Sequence, residues 1–132
     1  MNDKVLVIDD DPAVQEVIRR ILIRNGFEVC TAPDGRVGLR ELELRKPDLV
    51  LVDMIMPDIG GIEFLSRLAK SNDATPVIAV SGNTFGKQFL RSARSLGARS
   101  VLTKPFTEAE LIHQVHEALG AQEESEAGPP AP

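Results

Sequence analysis

Five polar residues, each at the end of a short apolar run or just after one, have side chains suited to phosphoryl chemistry. They are Asp9, Asp10, Asp53, Ser81 and Lys104. Carboxylate oxygens, with no histidine or cysteine beside them, are the ligands that Mg²⁺ prefers, and bound Mg²⁺ usually keeps waters and phosphate oxygens. The Ser81 hydroxyl can donate a hydrogen bond to a phosphoryl oxygen, and the Lys104 ammonium can neutralise one. Brought together, these groups predict a Mg²⁺-dependent site for a phosphoryl group.

Asp53 ends the sequence LVLVD, in which four apolar residues precede a carboxylate. An aspartate after a strand often caps the next helix, which is the better interpretation for Asp11 because Pro12 follows it directly. The helix predicted after Asp53 begins several residues later, so capping does not explain this residue. Two roles remain open from the residues alone: a cation ligand only, or also a nucleophile that accepts the phosphoryl group. Crowded carboxylates should also raise at least one pKa unless a cation compensates.

The rest of the sequence alternates between strand-like and helix-like segments that position these side chains. Apolar or β-branched runs predict five strands: Val5–Ile8, Phe27–Thr31, Leu49–Val52, Val77–Val80 and Ser100–Thr103. Helical spacing, caps and breakers predict five helices: Pro12 to about Asn25, Gly35–Leu44, Gly61–Ala69, Gly86–Leu96 and Glu108–Leu119, the last behind a Thr107–Glu110 capping box. This alternation indicates an α/β domain with a parallel sheet covered on both faces. The polar strand ends then meet at the carboxyl edge of the sheet, where ligands bind in such folds.

Composition predicts one globular domain without a general nucleic-acid surface. The 132 residues are 42% hydrophobic and 27% charged, and the net charge of -5 opposes broad binding to phosphate backbones. No apolar run approaches the roughly 18 residues of a membrane span, and Val5–Ile8 is too short for a signal peptide. The single cysteine, Cys30, is interpreted as a small buried hydrophobe. We therefore expect a cytoplasmic protein that binds neither membrane nor nucleic acid directly.

Several motifs in a fixed order resemble those of one known family. They are VIDDD (residues 7–11), DMIMPDIGG (53–61), VSG (80–82) and GARSVLTKPF (97–106). Together they closely resemble the receiver domain of two-component response regulators, over about residues 4–119. The order and spacing of separate motifs make this resemblance specific. It implies a flavodoxin-like (βα)5 fold with a five-stranded parallel sheet in the order 2-1-3-4-5 and helices on both faces.

The resemblance implies a role for each acidic residue. Asp53 matches the phosphoacceptor of the family. Asp9 and Asp10 match the acidic pair that binds Mg²⁺, with Asp10 the more direct ligand and Asp53 also in the metal site. Ile55 should contribute its backbone carbonyl to the same ion.

The resemblance also implies roles for the remaining polar strand ends. Ser81 matches the hydroxyl residue that shifts toward the phosphoryl group, and Lys104 matches the lysine that bonds to it. The Lys104–Pro105 bond matches a cis peptide of the family, which is inexpensive at an X-Pro bond, at about 0.5–1 kcal/mol. Gly61 matches a turn glycine four residues after Pro57.

The function that the resemblance implies is a switch in signal transduction. A sensor histidine kinase or a histidine phosphotransfer protein would donate its phosphoryl group to Asp53, and the altered conformation would control a partner or an output domain. Such a domain is a signalling module and not an enzyme, since it catalyses only its own phosphorylation and dephosphorylation. Phosphorylation could also make two copies of the domain form a dimer. The downstream partner is unknown from sequence.

Three positions of the expected switch depart from the family pattern or affect the lifetime of the phosphoryl group. Val101 stands where receivers commonly carry tyrosine or phenylalanine, so the usual rotating ring is missing. We hypothesise that the loop Gly82–Gly86, with Phe85, carries the signal instead. Ile55 and Asn83 should flank the path of an attacking water, and because Ile55 cannot orient it, we expect slow to moderate dephosphorylation.

Two alternative functions and the C-terminal segment complete the predictions. A degenerate receiver could bind partners without phosphorylation, although the acidic residues, Ser81 and Lys104 are all present. A haloacid dehalogenase-type phosphatase would need an aspartate where Ile55 stands, and a cap domain. Residues 1–119 are predicted as the receiver domain, and the polar, acidic residues 120–132 as a disordered tail or the start of a linker. The chain is therefore expected to be a stand-alone receiver, a phosphorelay shuttle or a piece of a longer regulator.

Overall fold

A single five-stranded parallel sheet forms the centre of the molecule. The computed structural model describes residues 2–56, 59–82 and 86–127, without the side chains of residues 86–90 and 121–127. The strands are β1 (Lys4–Ile8), β2 (Glu28–Ala32), β3 (Leu49–Asp53), β4 (Val77–Gly82) and β5 (Ser100–Lys104). They lie in the order β2-β1-β3-β4-β5, which confirms the predicted flavodoxin-like topology.

The strand register brings the polar strand ends to one edge of the sheet. Ile8 pairs with Val52, so Asp9 and Asp53 follow a matched pair of residues. Asp53 in turn pairs with Val80, and Gly82 pairs with Lys104. Because all strands are parallel, these residues share the carboxyl edge, near the point between β1 and β3 where the strand order reverses.

Five helices connect the strands: α1 (Pro12–Arg24), α2 (Gly35–Arg45), α3 (Gly61–Lys70), α4 (Gly86–Ser95) and α5 (Glu108–Ala127). The predicted caps are confirmed, since the Asp11 side chain accepts from the Ala13 N–H, and Thr107 and Glu110 exchange hydrogen bonds as a capping box. In the described part of the chain, no helix is long and apolar enough to cross a bilayer.

Helix α5 extends past its predicted end. Periodicity placed that end at Leu119, whereas the helix continues to Ala127. The added residues are mostly good helix formers, and the stop signals Gly128 and Pro129 come only after them. Residues 120–127, predicted as part of a disordered tail or the start of a linker, are therefore helical up to Ala127. Residues 128–132 lie outside the described residues, and the domain boundary at 119 stays a prediction.

The core consists of two apolar layers, one on each face of the sheet. Val5 and Val7 of β1 face the layer under α1 and α5, whereas Leu6 and Ile8 face the layer under α2, α3 and α4. All four are at most 1% exposed. A strand buried on both faces needs a continuous apolar run, which is why the strand sequences do not alternate with polar residues.

Candidate functional site

The carboxylates of Asp9, Asp10 and Asp53 converge at the carboxyl edge of the sheet. Each offers an oxygen, and these oxygens all lie within 4.8 Å of one another. Asp9 and Asp53 are buried and Asp10 is exposed. The predicted convergence of the three acidic residues is therefore confirmed, because the parallel register leaves the ends of β1 and β3 side by side.

Lys104 completes this cluster, which we call the acidic pocket (Asp9, Asp10, Asp53 and Lys104). Its Nζ lies 3.2 Å from Asp9 Oδ2 and 3.5 Å from Asp53 Oδ2. Burial alone would lower the pKa of Lys104, but attraction to Asp53 and Asp9 outweighs it, and the pKa is raised. The lysine is therefore a full cation in the pocket at neutral pH.

The pKa of Asp53 is raised, and repulsion between crowded carboxylates is not the main cause. Burial is the largest cause, and the charge of Asp9 adds to it. The Ile55 N–H, which donates to Asp53 Oδ1 at 3.1 Å, and the ammonium of Lys104 act in the opposite direction. The predicted rise is thus present, but loss of solvent contributes more to it than repulsion between carboxylates.

Asp9 is held by four hydrogen bonds in the first turn after β1. Its Oδ1 accepts from the Asp11 N–H at 2.9 Å and its Oδ2 from Lys104. Its own N–H donates to the Ala32 carbonyl at 3.1 Å, and its carbonyl accepts from Gln15 Nε2 at 2.7 Å. Gln15 was not predicted as part of the site, because a glutamine in the first turn of a surface helix carries no distinguishing pattern.

Gly61 allows helix α3 to begin against the loop that follows Asp53. A Cβ at Gly61 would lie 2.7 Å from the Met54 Cα and 3.0 Å from the Asp53 carbonyl oxygen. The Gly61 N–H also donates to the Met54 carbonyl at 3.3 Å. A larger residue would push this loop away from α3, so the close approach at this position requires glycine.

Ser81 lies at the same edge of the sheet but does not bond to the acidic pocket in this structure. It is buried near the end of β4, and its Oγ donates to the neighbouring Gly82 carbonyl at 3.3 Å. The cis peptide predicted at Lys104–Pro105 is present. Asn83 and Phe85 lie outside the described residues, so their predicted roles remain predictions.

Val101 lies on β5, paired with Ala79 and half-buried. Its side chain packs against the apolar layer under α2, α3 and α4, and its carbonyl accepts from Gln114 Nε2 at 3.0 Å. Ile55 is 39% exposed at the rim of the pocket. The structure gives its N–H a partner in Asp53, while the metal-binding role of its carbonyl stays a prediction.

The acidic pocket suits a divalent cation by charge and by donor type. Three carboxylates and one ammonium give a formal charge of 3 negative and 1 positive, so two negative charges are uncompensated. Within the described ranges, the Asp10 carboxylate accepts no hydrogen bond, which leaves its oxygens available. Carboxylate oxygens with one solvent-facing member match the preference of Mg²⁺ for oxygen ligands and retained water.

Comparison with known proteins agrees with this arrangement. The response regulator receiver domain family matches residues 5–116. Two similar proteins are the alkaline phosphatase synthesis transcriptional regulatory protein PhoP of Bacillus subtilis, 33% identical over 125 residues, and the DNA-binding response regulator MtrA of Mycolicibacterium smegmatis, 30% identical over 127 residues. These alignments cover 93% and 96% of this chain but 51% and 55% of the relatives. The chain thus spans about half the length of these relatives.

Solved structures show the same likeness in three dimensions. The CheY-like response regulator receiver domain protein from Methanospirillum hungatei has a TM-score of 0.88 at 28% identity, over 95% of this chain and 99% of that chain. The receiver domain of the Francisella response regulator 1452 has a TM-score of 0.85 at 33% identity, over 92% of this chain and 99% of that chain. With its motifs, its topology and its acidic pocket, the chain belongs to the response regulator receiver domain family.

Proposed function

We propose that Asp53 accepts a phosphoryl group, in a Mg²⁺-dependent reaction, from a phosphohistidine on a sensor histidine kinase or a histidine phosphotransfer protein. The observation that carries this proposal is the acidic pocket itself. A buried carboxylate, Asp53, lies 3.5 Å from a lysine cation and within 4.8 Å of two further carboxylates. A pocket of this kind can neutralise a phosphoryl group while a carboxylate attacks it.

In the transfer, a carboxylate oxygen of Asp53 forms a bond to phosphorus as the bond between phosphorus and the donor's histidine nitrogen breaks. Mg²⁺ held by Asp10 and Asp53, with Asp9 and the Ile55 carbonyl, would supply positive charge to the phosphoryl oxygens. Lys104 would then exchange its ion pair with Asp53 for a hydrogen bond to a phosphoryl oxygen and keep its hydrogen bond to Asp9. The Ile55 N–H holds the Asp53 carboxylate in place before the reaction.

The phosphorylated state would differ from the present one chiefly around Ser81. Its hydroxyl now bonds to the Gly82 carbonyl at 3.3 Å, a long contact that a phosphoryl oxygen would replace with a shorter, charge-assisted one. Because Gly82 follows Ser81 directly, a shift of Ser81 would also move the start of the loop Gly82–Gly86, as our hypothesis that this loop carries the signal requires. The bias on the conformational equilibrium equals the difference in interaction of the phosphoryl group with the two states.

The phosphoryl donor protein requires a surface beside the pocket. An apolar groove of about 480 Å³ adjoins Lys104, between α1 and the segment that leads from β5 to α5. Its lining residues are Ala13, Val14, Val17, Ile18, Lys104, Pro105 and Phe106. Val17 is 56% exposed. We therefore assign donor docking to this groove, and Val17→Glu should slow transfer from a phosphorylated donor protein while leaving the reaction with a small acyl phosphate unchanged.

Intact-protein mass after incubation with a small acyl phosphate and Mg²⁺ tests the proposal. The native chain should gain one phosphoryl group, and Asp53→Asn should gain none. Asp11→Asn is the matched control, because asparagine keeps the cap on α1 and Asp11 is not in the pocket. Absence of an adduct on the native chain, even with a cognate kinase, would contradict the proposal and favour a receiver that binds partners without phosphorylation.

The downstream role is proposed at the level of class. The relatives PhoP and MtrA are named as a transcriptional regulatory protein and a DNA-binding response regulator. This chain matches about half of each, so we propose that it controls an output domain or a separate partner, with dimerisation on phosphorylation as one route.

A further inference from the structure

Gln15 bridges the carboxyl ends of two neighbouring strands from the first turn of α1. Its Nε2 lies 2.7 Å from the Asp9 carbonyl oxygen and 2.9 Å from the Ala32 carbonyl oxygen. Both partners can only accept, so the amide nitrogen and not the amide oxygen must face them. Ala32 is the last residue of β2, and its partner in the register is Ile8, directly before Asp9. The side chain therefore fixes the main chain at the point where β1 enters the acidic pocket.

The carbonyl that Gln15 holds belongs to the peptide plane between Asp9 and Asp10. Because that plane is rigid, fixing its oxygen also fixes the direction in which the Asp10 Cα leaves the strand. A rotated plane would carry the Asp10 carboxylate away from the other two. The position of Asp10 therefore depends on the Gln15 hydrogen bond.

Asp10 has no other anchor in the part of the chain that the structure describes. The carboxylate of Asp9 accepts from the Asp11 N–H and from Lys104, and that of Asp53 accepts from the Ile55 N–H. The Asp10 carboxylate is exposed and accepts no hydrogen bond from the described residues. Its oxygen nevertheless lies within 4.8 Å of oxygens of the other two. The main chain alone keeps it there.

We propose that Gln15 is a positioning residue that holds Asp10 in reach of Asp53, so that a divalent cation and the phosphoryl group can bind. This inference rests on the function proposed above. It assigns to Gln15 no contact with the phosphoryl group or the metal, only control of the peptide plane that precedes Asp10.

A pair of matched glutamine variants tests the role of Gln15. Gln114 also reaches from a helix to a strand carbonyl, since its Nε2 donates to Val101 at 3.0 Å and its Oε1 accepts from the Ser100 hydroxyl. Gln15→Met and Gln114→Met each remove such a bridge while keeping the side-chain length. Both should lower the melting temperature, but only Gln15→Met should weaken Mg²⁺ binding, by about 10-fold, as measured by titration calorimetry.

Phosphorylation kinetics provide a second readout that a loss of stability would not mimic. Gln15→Met should need a higher Mg²⁺ concentration for half-maximal phosphorylation by a small acyl phosphate, and should regain most of the native rate at saturating Mg²⁺. If Gln15→Met does not fold, Gln15→Asn serves instead, because its amide is one methylene too short to reach both carbonyls.

The outcomes separate this inference from the proposed function. Equal Mg²⁺ affinities for Gln15→Met and Gln114→Met, with a native chain that binds Mg²⁺ and gains a phosphoryl group, would overturn the role of Gln15 alone. A native chain that neither binds Mg²⁺ nor gains a phosphoryl group would overturn both.

Discussion

Asp53 and Glu108 are both carboxylates that face a cation, yet their pKa values move in opposite directions. Asp53, beside Lys104, is only 8% exposed, and burial raises its pKa. Glu108 begins α5 on the surface, where hydrogen bonds from Arg24 and Asn25 lower its pKa. The partners are similar in charge, so the difference lies in how much water each carboxylate has lost.

This difference separates a site that is ready for chemistry from a contact that only joins two helices. The surface pair keeps its water and stabilises both charged forms. In the pocket, Lys104 only partly offsets the cost of burying the Asp53 carboxylate, so the site is short of positive charge and favours binding of a further cation. The comparison can be tested by removing each cation and each carboxylate in turn.

The largest effect should come from removing the pocket cation. Lys104→Met should slow phosphorylation by a small acyl phosphate about 100-fold or more, because a preorganised charge that stabilises the transition state is lost. Arg24→Met, the matched change on the surface, should leave the rate within about twofold of native. Time-resolved intact-protein mass gives both rates. Equal rates for the two variants would show that the pocket cation is no more important for the reaction than the surface cation.

Stability should change next. In the absence of Mg²⁺, Lys104→Met should lose about 2 kcal/mol of unfolding free energy at neutral pH, because Asp9 and Asp53 remain buried without their cation. Arg24→Met should lose less, since its partner stays solvated. Urea titrations with and without Mg²⁺ measure this, and Mg²⁺ should restore part of the loss only in Lys104→Met. If Lys104→Met loses the same stability with and without Mg²⁺, then Lys104 and the metal ion do not neutralise the same carboxylates.

The pH dependence of stability should have opposite signs at the two carboxylates. The raised pKa of Asp53 means that its ionisation destabilises the folded state, a cost absent below the unfolded pKa and growing as pH rises toward the folded pKa. Asp53→Asn should therefore melt a few degrees higher than the native chain at pH 7 without Mg²⁺, and the gap should close in acid.

Glu108 should behave in the reverse way. Its lowered pKa contributes stability that is present above the unfolded pKa and is lost as pH falls through the folded pKa. Glu108→Gln should thus melt below the native chain at pH 7 and match it in acid. Melting curves of both amide variants from pH 3 to pH 7 measure the sign of each shift. This range of about four pH units brackets the usual pKa values of carboxylates. Shifts of the same sign would show that burial does not separate the two sites.

The smallest effect should come from the exposed rim of the pocket. Ile55→Asn adds an amide that can orient water near Asp53, and the aspartyl phosphate should decay a few-fold faster. Leu44→Asn, another exposed apolar residue far from the pocket, serves as the control. Decay of the mass adduct after removal of the donor measures the lifetime, and no acceleration would count against shielding by Ile55.

The acidic pocket could be predicted from sequence because residues at the carboxyl ends of parallel strands all lie at the same edge of the sheet. Asp9, Asp53 and Lys104 follow short apolar runs, and such runs leave only one edge where polar ends can meet. The cis bond at Lys104–Pro105 was predicted from the resemblance, and it is present. These features depend on local pattern and on topology, both of which a sequence expresses directly.

Other features could not be predicted because they depend on contacts between distant residues. Arg24, in the last turn of α1, pairs with Glu108, 84 positions away, and helical periodicity does not predict this contact. Burial also contributes more to the raised pKa of Asp53 than repulsion from Asp9 does, and burial depends on side chains from several elements.

The sequence by itself determined the α/β class, the order of elements, the caps of α1 and α5 and the identity of the groups at the carboxyl edge, because these depend on periodicity and on residues adjacent in the chain. The tertiary structure decided which of those groups are buried, which cation neutralises them and how Gln15 ties β1 to β2. Burial and hydrogen-bond geometry are properties of residues brought together from different elements, so they exist only once the sheet and helices have packed.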